Sequence, residues 1–480
     1  MNCTGLSRRD CLLGMGAGVL AATVARPAAA ADLAPDRALL FLDDLHVETL
    51  DRLQRTMHPP VKRGAVIRSA VPEKGIQTRS APAWDPAERV FKLWVMGIEE
   101  VVWRSPDGLH WTPAPLPNMR VDHVVCDTTD PDPERRFKGA LTNQGFAVSP
   151  DGVRWTKLDV PPVPSSDESN LSFDPGERLF IHSVKRGTRN GRSVAIAVSR
   201  DFRTWTDHGL VFQTDEVDQM RGAENIRARL ADASLQQPSH VTPSAWKVDV
   251  YNMGVFHYEG QYVGLPALYH ATGNVPNYPN TDGFHLVQLA HSRDLKKWAR
   301  LGDRKPFIAP SRLDSGAYDL TQILPPSAPV VHGDELWFYY TGLKRRATFR
   351  YVGAYPNGEA ISLPGISRDV GGVCLAVLRR DGFVSVDAGE AGGELLTRPM
   401  DIAGRELLLN LATGEGGEAV VELVDEAGKS LAVSTPVTGD GVRLPVAWKG
   451  GANMTRAAGR KVRLKVRLRN ASLYAVRTRA

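Results

Sequence analysis

Ser105-Pro106-Asp107-Gly108-Leu109-His110-Trp111 is the stretch that decides the fold, because it recurs. It returns as Ser149-Pro150-Asp151-Gly152-Val153-Arg154-Trp155, as Ser199-Arg200-Asp201-Phe202-Arg203-Thr204-Trp205 and as Ser292-Arg293-Asp294-Leu295-Lys296-Lys297-Trp298. A degenerate fifth copy, Arg379-Arg380-Asp381-Gly382, lacks the tryptophan. The copies start 44, 50, 93 and 87 residues apart. Self-similarity on that scale marks a repeat architecture.

Each copy follows an apolar strand, such as Phe146-Ala147-Val148 or Ala195-Ile196-Ala197-Val198. Ahead of each lies a second strand, opened by a turn. Three of these turns nearly match: Asp85-Pro86-Ala87-Glu88-Arg89, Asp132-Pro133-Glu134-Arg135-Arg136 and Asp174-Pro175-Gly176-Glu177-Arg178. The aspartate of the Ser-x-Asp turn accepts backbone N–H groups and tightens a hairpin. The tryptophan packs between neighbouring units. Both are therefore expected to be scaffold. Five units of about four short strands predict an all-β chain with a five-bladed β-propeller over residues 38–388. The long steps place insertions at 213–248, 270–283 and 343–371, and segment 214–232 is spaced for a short helix. From Gly393 on, short alternating strands between Gly-rich turns predict a β-sandwich over 389–480.

The balance of 59 basic against 54 acidic residues is small and without a long basic run, which argues against a nucleic-acid partner. Arg8-Arg9 stand just ahead of an apolar stretch from Cys11 to Ala25, followed by Ala28 to Ala31. Residues 1–31 are thus expected to be a twin-arginine-type signal peptide, recognised by the twin-arginine export machinery and directing a periplasmic or secreted product. The stretch is too short and too rich in Gly and Ala for a membrane span. Removing it leaves Cys126 and Cys374, expected to be buried thiols. No Cys/His spacing suits zinc, and no cofactor or metal is expected.

In order, the sequence holds an export signal, five Ser-x-Asp-x-x-x-Trp units and a sandwich. It resembles the five-bladed propeller glycosidases of the family 32 and family 43 type, most closely the uncharacterised exported bacterial branch. The resemblance is carried by Phe41-Leu42-Asp43-Asp44 with His58-Pro59-Pro60, by 130–138, by Asp249-Val250-Tyr251-Asn252 and by Asn470-Ala471-Ser472-Leu473-Tyr474. It covers about residues 38–480 and implies a glycoside hydrolase acting on an oligo- or polysaccharide. The Asn-Asp-Pro-Asn-Gly segment that supplies the nucleophile in family 32 is absent.

In a propeller the innermost strands point one end at a central funnel. Polar residues ahead of those strands are Arg79 in unit one, Asp122 and His123 in unit two, and Asp167, Glu168 and Asn170 in unit three. Unit four gives Asp249, Tyr251 and Asn252, and unit five gives Gln322 and Ser327. Glycoside cleavage needs one carboxylic acid to protonate the leaving oxygen and a second carboxylate as nucleophile or base. The expected catalytic residues are Asp167 and Asp249, with Asp122 or Asp44 as a third carboxylate. Arg79, His123, Arg136, Lys138, Asn170, Tyr251 and Asn252 are expected to bind substrate, with His270 and Asp282 on a rim loop over 270–283. Lys185, Arg186 and Arg350 are further basic candidates, suited to a carboxylate or sulfate on a sugar. Two other readings stay open: a propeller that binds carbohydrate without cleaving it, and a sialidase-like hydrolase, since the repeat resembles the Asp-box turn.

Overall fold

The computed structural model describes residues 33–69, 75–276, 280–345 and 370–479. The expected export segment and Arg350 lie outside them. Five antiparallel sheets follow one another along the sequence. From the channel outward, blade I holds Ala83–Asp85, Val90–Trp94, Val102–Ser105 and Thr112–Pro113. Blade II holds His123–Cys126, Phe137–Leu141, Gly145–Ser149 and Thr156–Lys157. Blade III holds Ser169–Asp174, Leu179–Thr188, Gly191–Ser199 and Thr206–Phe212. Blade IV holds Lys247–Tyr258, Gln261–Asn274, Ala290–Ser292 and Ala299–Arg300. Blade V holds Gln322–Leu324, Glu335–Leu343 and Gly371–Arg379, and its outer strand, Val61–Arg68, comes from the N-terminal side. That exchange closes the ring.

Packing follows the same order. A buried apolar cluster fills each of the five blade junctions, for example Phe146, Leu171, Phe180 and Phe202 between II and III. The repeat tryptophans seal these junctions. Trp111 meets Tyr339 of blade V edge-on at 5.8 Å, Trp155 meets Trp94 of blade I at 6.4 Å, and Trp205 stacks on Phe146 of blade II at 4.6 Å. Each reaches back to the preceding blade, so deleting one opens a seam between two sheets. The aspartates staple the hairpins: Asp151 Oδ1 accepts the N–H of Val153 at 2.9 Å and of Arg154 at 2.8 Å. Burial works to raise the Asp151 carboxyl, but these bonds outweigh it and hold it down at about 2. Near the axis the blades approach so closely that a Cβ on Gly254 would lie 1.9 Å from Pro326 O.

The fifth copy departs for a topological reason. The strand after Asp381, Val384–Ala388, leaves the propeller for a nine-stranded sheet. Asp381 accordingly accepts the Tyr258 hydroxyl at 2.5 Å and pairs with Arg477 at 3.2 Å, tying that sheet to blade IV. The boundary expected at residues 388 and 389 is corrected as well. Ala38–Leu40, Val47–Asp51 and Gln54–Met57 pair with the C-terminal strands, Ala38 opposite Arg477 and Thr56 opposite Ser385. Blade V needs only Val61–Arg68 from the N-terminal side, so the apolar strands before it complete the second unit. That unit is a sandwich because its two long strands, Glu406–Asp425 and Val462–Arg479, change register at Asn410/Leu411 and Thr413/Glu418. They close over a core that includes Phe41, Leu395, Met400, Leu409, Val421 and Leu464.

The first insertion holds the helix Glu216–Ala231, started by a capping box between Asp215 and Asp218. The second is partly strand: its first five residues close Gln261–Asn274, which pairs with Thr281–Val287.

Candidate functional site at the mouth of the channel

First strands run away from one mouth of the channel, so the residues that open them gather there; third strands run the same way and deliver the Ser-x-Asp turns to the far end. At the first mouth, Arg79 of blade I faces Glu168 of blade III in a two-pronged ion pair. Arg79 Nε lies 2.6 Å from Glu168 Oε2, and Nη2 donates to Oε1 at 2.7 Å. The side chains are 3% and 11% exposed, so the charges neutralise each other out of water. Thr78 O and Gln77 Oε1 accept two further Arg79 donors at 3.2 and 3.1 Å. Burial pushes the Glu168 carboxyl up, the facing guanidinium pulls it down, and the guanidinium wins: the group sits below its ordinary value and is an anion.

Asn170 and Asn252 bridge the channel beneath this pair. Asn170 Nδ2 donates to Arg79 O at 3.0 Å and to Pro325 O at 3.4 Å, and Asn252 Nδ2 donates to Asn170 Oδ1 at 3.3 Å. Ser327 Oγ accepts the Ala81 N–H at 3.1 Å. Four blades are thus joined by hydrogen bonds at the axis. The buried Oδ1 of Asn252 takes no hydrogen bond among the described residues.

The other carboxylates differ in access. Asp167 is 66% exposed, and Lys185 Nζ lies 2.6 Å from its Oδ1, off the hydrogen-bonding line. Asp249 is sealed: its carboxylate is 2% exposed, and Arg192 Nε approaches both oxygens at 2.9 Å. Gly191 closes the other side, where a Cβ would stand 3.0 Å from Asp249 Oδ2. Asp122 is half-buried, and among the described residues its Oδ2 accepts only the Thr142 N–H, at 3.0 Å. His123 beside it is buried, and burial pushes its imidazole down to about 4, so the ring is neutral at pH 7. Tyr251 lies under two cations, Lys185 Nζ at 3.9 Å and Arg192 at 5.2 Å from its ring centre.

The structure therefore gathers Arg79, Asp122, His123, Asp167, Asn170, Asp249, Tyr251 and Asn252 at one mouth. It places the other expected site residues elsewhere. Asp44 lies between Ala38–Leu40 and Val47–Asp51 of the sandwich and pairs with Arg55. Lys138 and Arg136 stand at the opposite end of blade II, just after its Asp-Pro turn. Lys138 neutralises Asp130 at 2.8 Å and Asp127 at 3.1 Å; Arg136 donates to Pro150 O at 2.8 Å and lies over Phe137. His270 is buried under the helix, stacked on Phe284 at 4.8 Å and bonded to Asn225 at 3.2 Å, and burial pushes it down to about 4. Asp282 is a buried staple: its Oδ2 accepts the N–H groups of Ser239 at 2.7 Å and His240 at 3.1 Å. These two fail as rim residues because each sits buried in a strand, His270 in Gln261–Asn274 and Asp282 in Thr281–Val287. Sequence reasoning misses Arg192, although its hairpin, Lys185-Arg186-Gly187-Thr188-Arg189-Asn190-Gly191-Arg192, is visibly basic. It reaches Glu168 as a funnel position but prefers its neighbour Asp167 for the chemistry.

No family model matches the sequence, and no curated protein does. Among solved structures it is similar to an N-acetylgalactosamine deacetylase from F. plautii, at 15% identity and TM-score 0.36, over 73% of this protein and 96% of that one. It is similar to BT0996 in an RGII complex, at 13% identity and TM-score 0.38, over 67% and 92%. A fructofuranosidase from Schwanniomyces occidentalis matches at 11% identity and TM-score 0.37, over 87% and 97%.

Proposed function

We propose that the protein is an exported glycoside hydrolase whose centre is this mouth of the channel. The observation that carries the reading is convergence: carboxylates of three consecutive blades meet there, and three of the four face a cation from another strand. Glycoside hydrolysis needs both a carboxylate that stays charged and a carboxyl that carries a proton. Asp167 is the carboxyl open to solvent beside Lys185, and it is assigned to activate water or attack the sugar. Asp122 has no cation against it among the described residues, and the role of proton donor falls to it. Glu168 and Arg79 hold a fixed dipole against the positive charge that develops on the sugar ring. Asp249, held by Arg192, is the third carboxylate of the set.

The test is a panel of glycans and aryl glycosides, with Asp122→Asn, Asp167→Asn and Asp249→Asn run beside the parent. Loss of hydrolysis in Asp122→Asn and Asp167→Asn is expected, and hydrolysis surviving all three removes the assignment. Binding without cleavage is the second reading. The complete neutralisation of Asp249 by Arg192 favours it, and a panel in which glycans bind unchanged identifies it.

A further inference from the structure

The hairpin 185–192 of blade III carries four basic residues and no acidic one. Solvation alone does not explain them, because two point inward. Lys185 is 2% exposed and Arg192 is 22% exposed, and bringing a cation in from water costs free energy that a surface position avoids. Of its guanidinium, Arg192 spends only the Nε on Asp249. Its guanidinium lies 4.6 Å from the Tyr269 ring centre and 5.2 Å from that of Tyr251, and its two terminal amino groups take no hydrogen bond among the described residues. An arginine held in that way presents a fixed fork, the geometry that matches a carboxylate.

Beside the hairpin a cleft of about 840 Å³ opens between blades III and IV. Arg189 and Gly191 line one wall, Lys247 and Trp298 another, and the start of the helix a third. Arg189 and Lys247 are exposed and have no ion pair among the described residues. The other charges in the cleft are accounted for: Arg300 pairs with Asp218 at 2.5 Å and Asp215 with Arg304 at 2.6 Å, leaving Glu216 as the single unpaired anion among the described residues that line it. Lys247 stands two residues before Asp249, so the cleft begins where the channel mouth ends.

We infer that the hairpin and the cleft form a subsite for an acidic saccharide, a polymer with carboxylate groups along it, that leads from the channel mouth outward between blades III and IV. The inference rests on the glycoside hydrolase reading and narrows its substrate class to polyuronates. Arg192 receives one carboxylate at the mouth, and Arg189 and Lys247 receive the next ones along the cleft.

Affinity electrophoresis tests it with polygalacturonate, alginate and hyaluronan against methyl-esterified pectin, xylan and dextran, and with dextran sulfate as a carboxylate-free polyanion. A uronate is expected to retard the protein more than every neutral polymer, and added salt is expected to weaken the effect. Arg189→Ala with Lys247→Ala, both at exposed positions, is expected to weaken uronate binding roughly tenfold, about threefold for each exposed charge. Equal retardation by neutral and acidic polymers, or a double variant that binds uronate as tightly as the parent, overturns the inference and leaves the carbohydrate reading standing. Preference for dextran sulfate over every uronate overturns the carboxylate assignment. Retardation by none of the polymers overturns the inference and the carbohydrate reading together.

Discussion

Replacing Arg79 by Met keeps the length of the side chain and removes the cation facing Glu168. In the parent both partners are almost wholly out of water, joined at 2.6 and 2.7 Å. Breaking one side of such a pair leaves a buried uncompensated charge and costs about 3–5 kcal/mol. The pH dependence then inverts. In the parent, Glu168 sits below its ordinary value, so its share of stability is present above pH 4.5 and is lost as pH falls. Without Arg79, burial dominates and raises the carboxyl. Its share is then present in acid and is lost as pH rises through the new value. Urea unfolding followed by tryptophan fluorescence at pH 5 and pH 8 reads both effects. The variant is expected to be destabilised at pH 8 and to regain part of the loss at pH 5. Glu168→Gln in the Arg79→Met background is expected to abolish that pH difference. A loss under about 1 kcal/mol, the range of an exposed pair, or an unchanged pH slope, refutes the claim that a buried ion pair joins blades I and III.

His182 is buried against Phe146 and Trp205, with neither ring nitrogen bonded among the described residues, and burial pushes it down to about 3. The unfolded protein takes up that proton near pH 6.5 and the folded one does not, so stability falls as pH drops below 6.5. His182→Leu is expected to flatten the slope of stability against pH between 6.5 and 4 by about one proton, or 1.4 kcal/mol per pH unit, measured in the same unfolding assay. Asp151→Ala removes two hairpin bonds at the far end of blade II; it is expected to cost roughly 1–3 kcal/mol with glycan hydrolysis unchanged. Asp381→Ala cuts the link from Tyr258 to Arg477, and limited proteolysis is expected to release the sandwich strands faster than from the parent.

The repeat makes the propeller legible because its chemistry is local: an aspartate two and three residues from the amides it caps, and a tryptophan six residues from the serine. Blade closure is not legible in the same way. Val61–Arg68 completes a sheet whose neighbour, Gly371–Arg379, lies some three hundred residues away, and Ala38–Leu40 pairs with the long C-terminal strand Val462–Arg479. Nothing local in these apolar strands says which sheet they join. The site is legible as a set of strand starts, which brings eight residues to the same mouth. Partners across blades are not: that Asp249 is covered by Arg192 of the preceding blade, or that Arg79 selects Glu168 over Asp167, depends on which way each strand residue faces. Arg136 and Lys138 mislead because their Asp-Pro turn, equally rich in charge, lies at the opposite end.

The most direct test of the central claim is hydrolysis in water enriched in oxygen-18, with products of the best-bound polysaccharide read by mass spectrometry. The account predicts one heavy oxygen at the new reducing end of each cleaved polymer, and no product from Asp122→Asn. Cleavage that leaves an unsaturated sugar and takes up no label, or labelled product from Asp122→Asn at the parent rate, contradicts it.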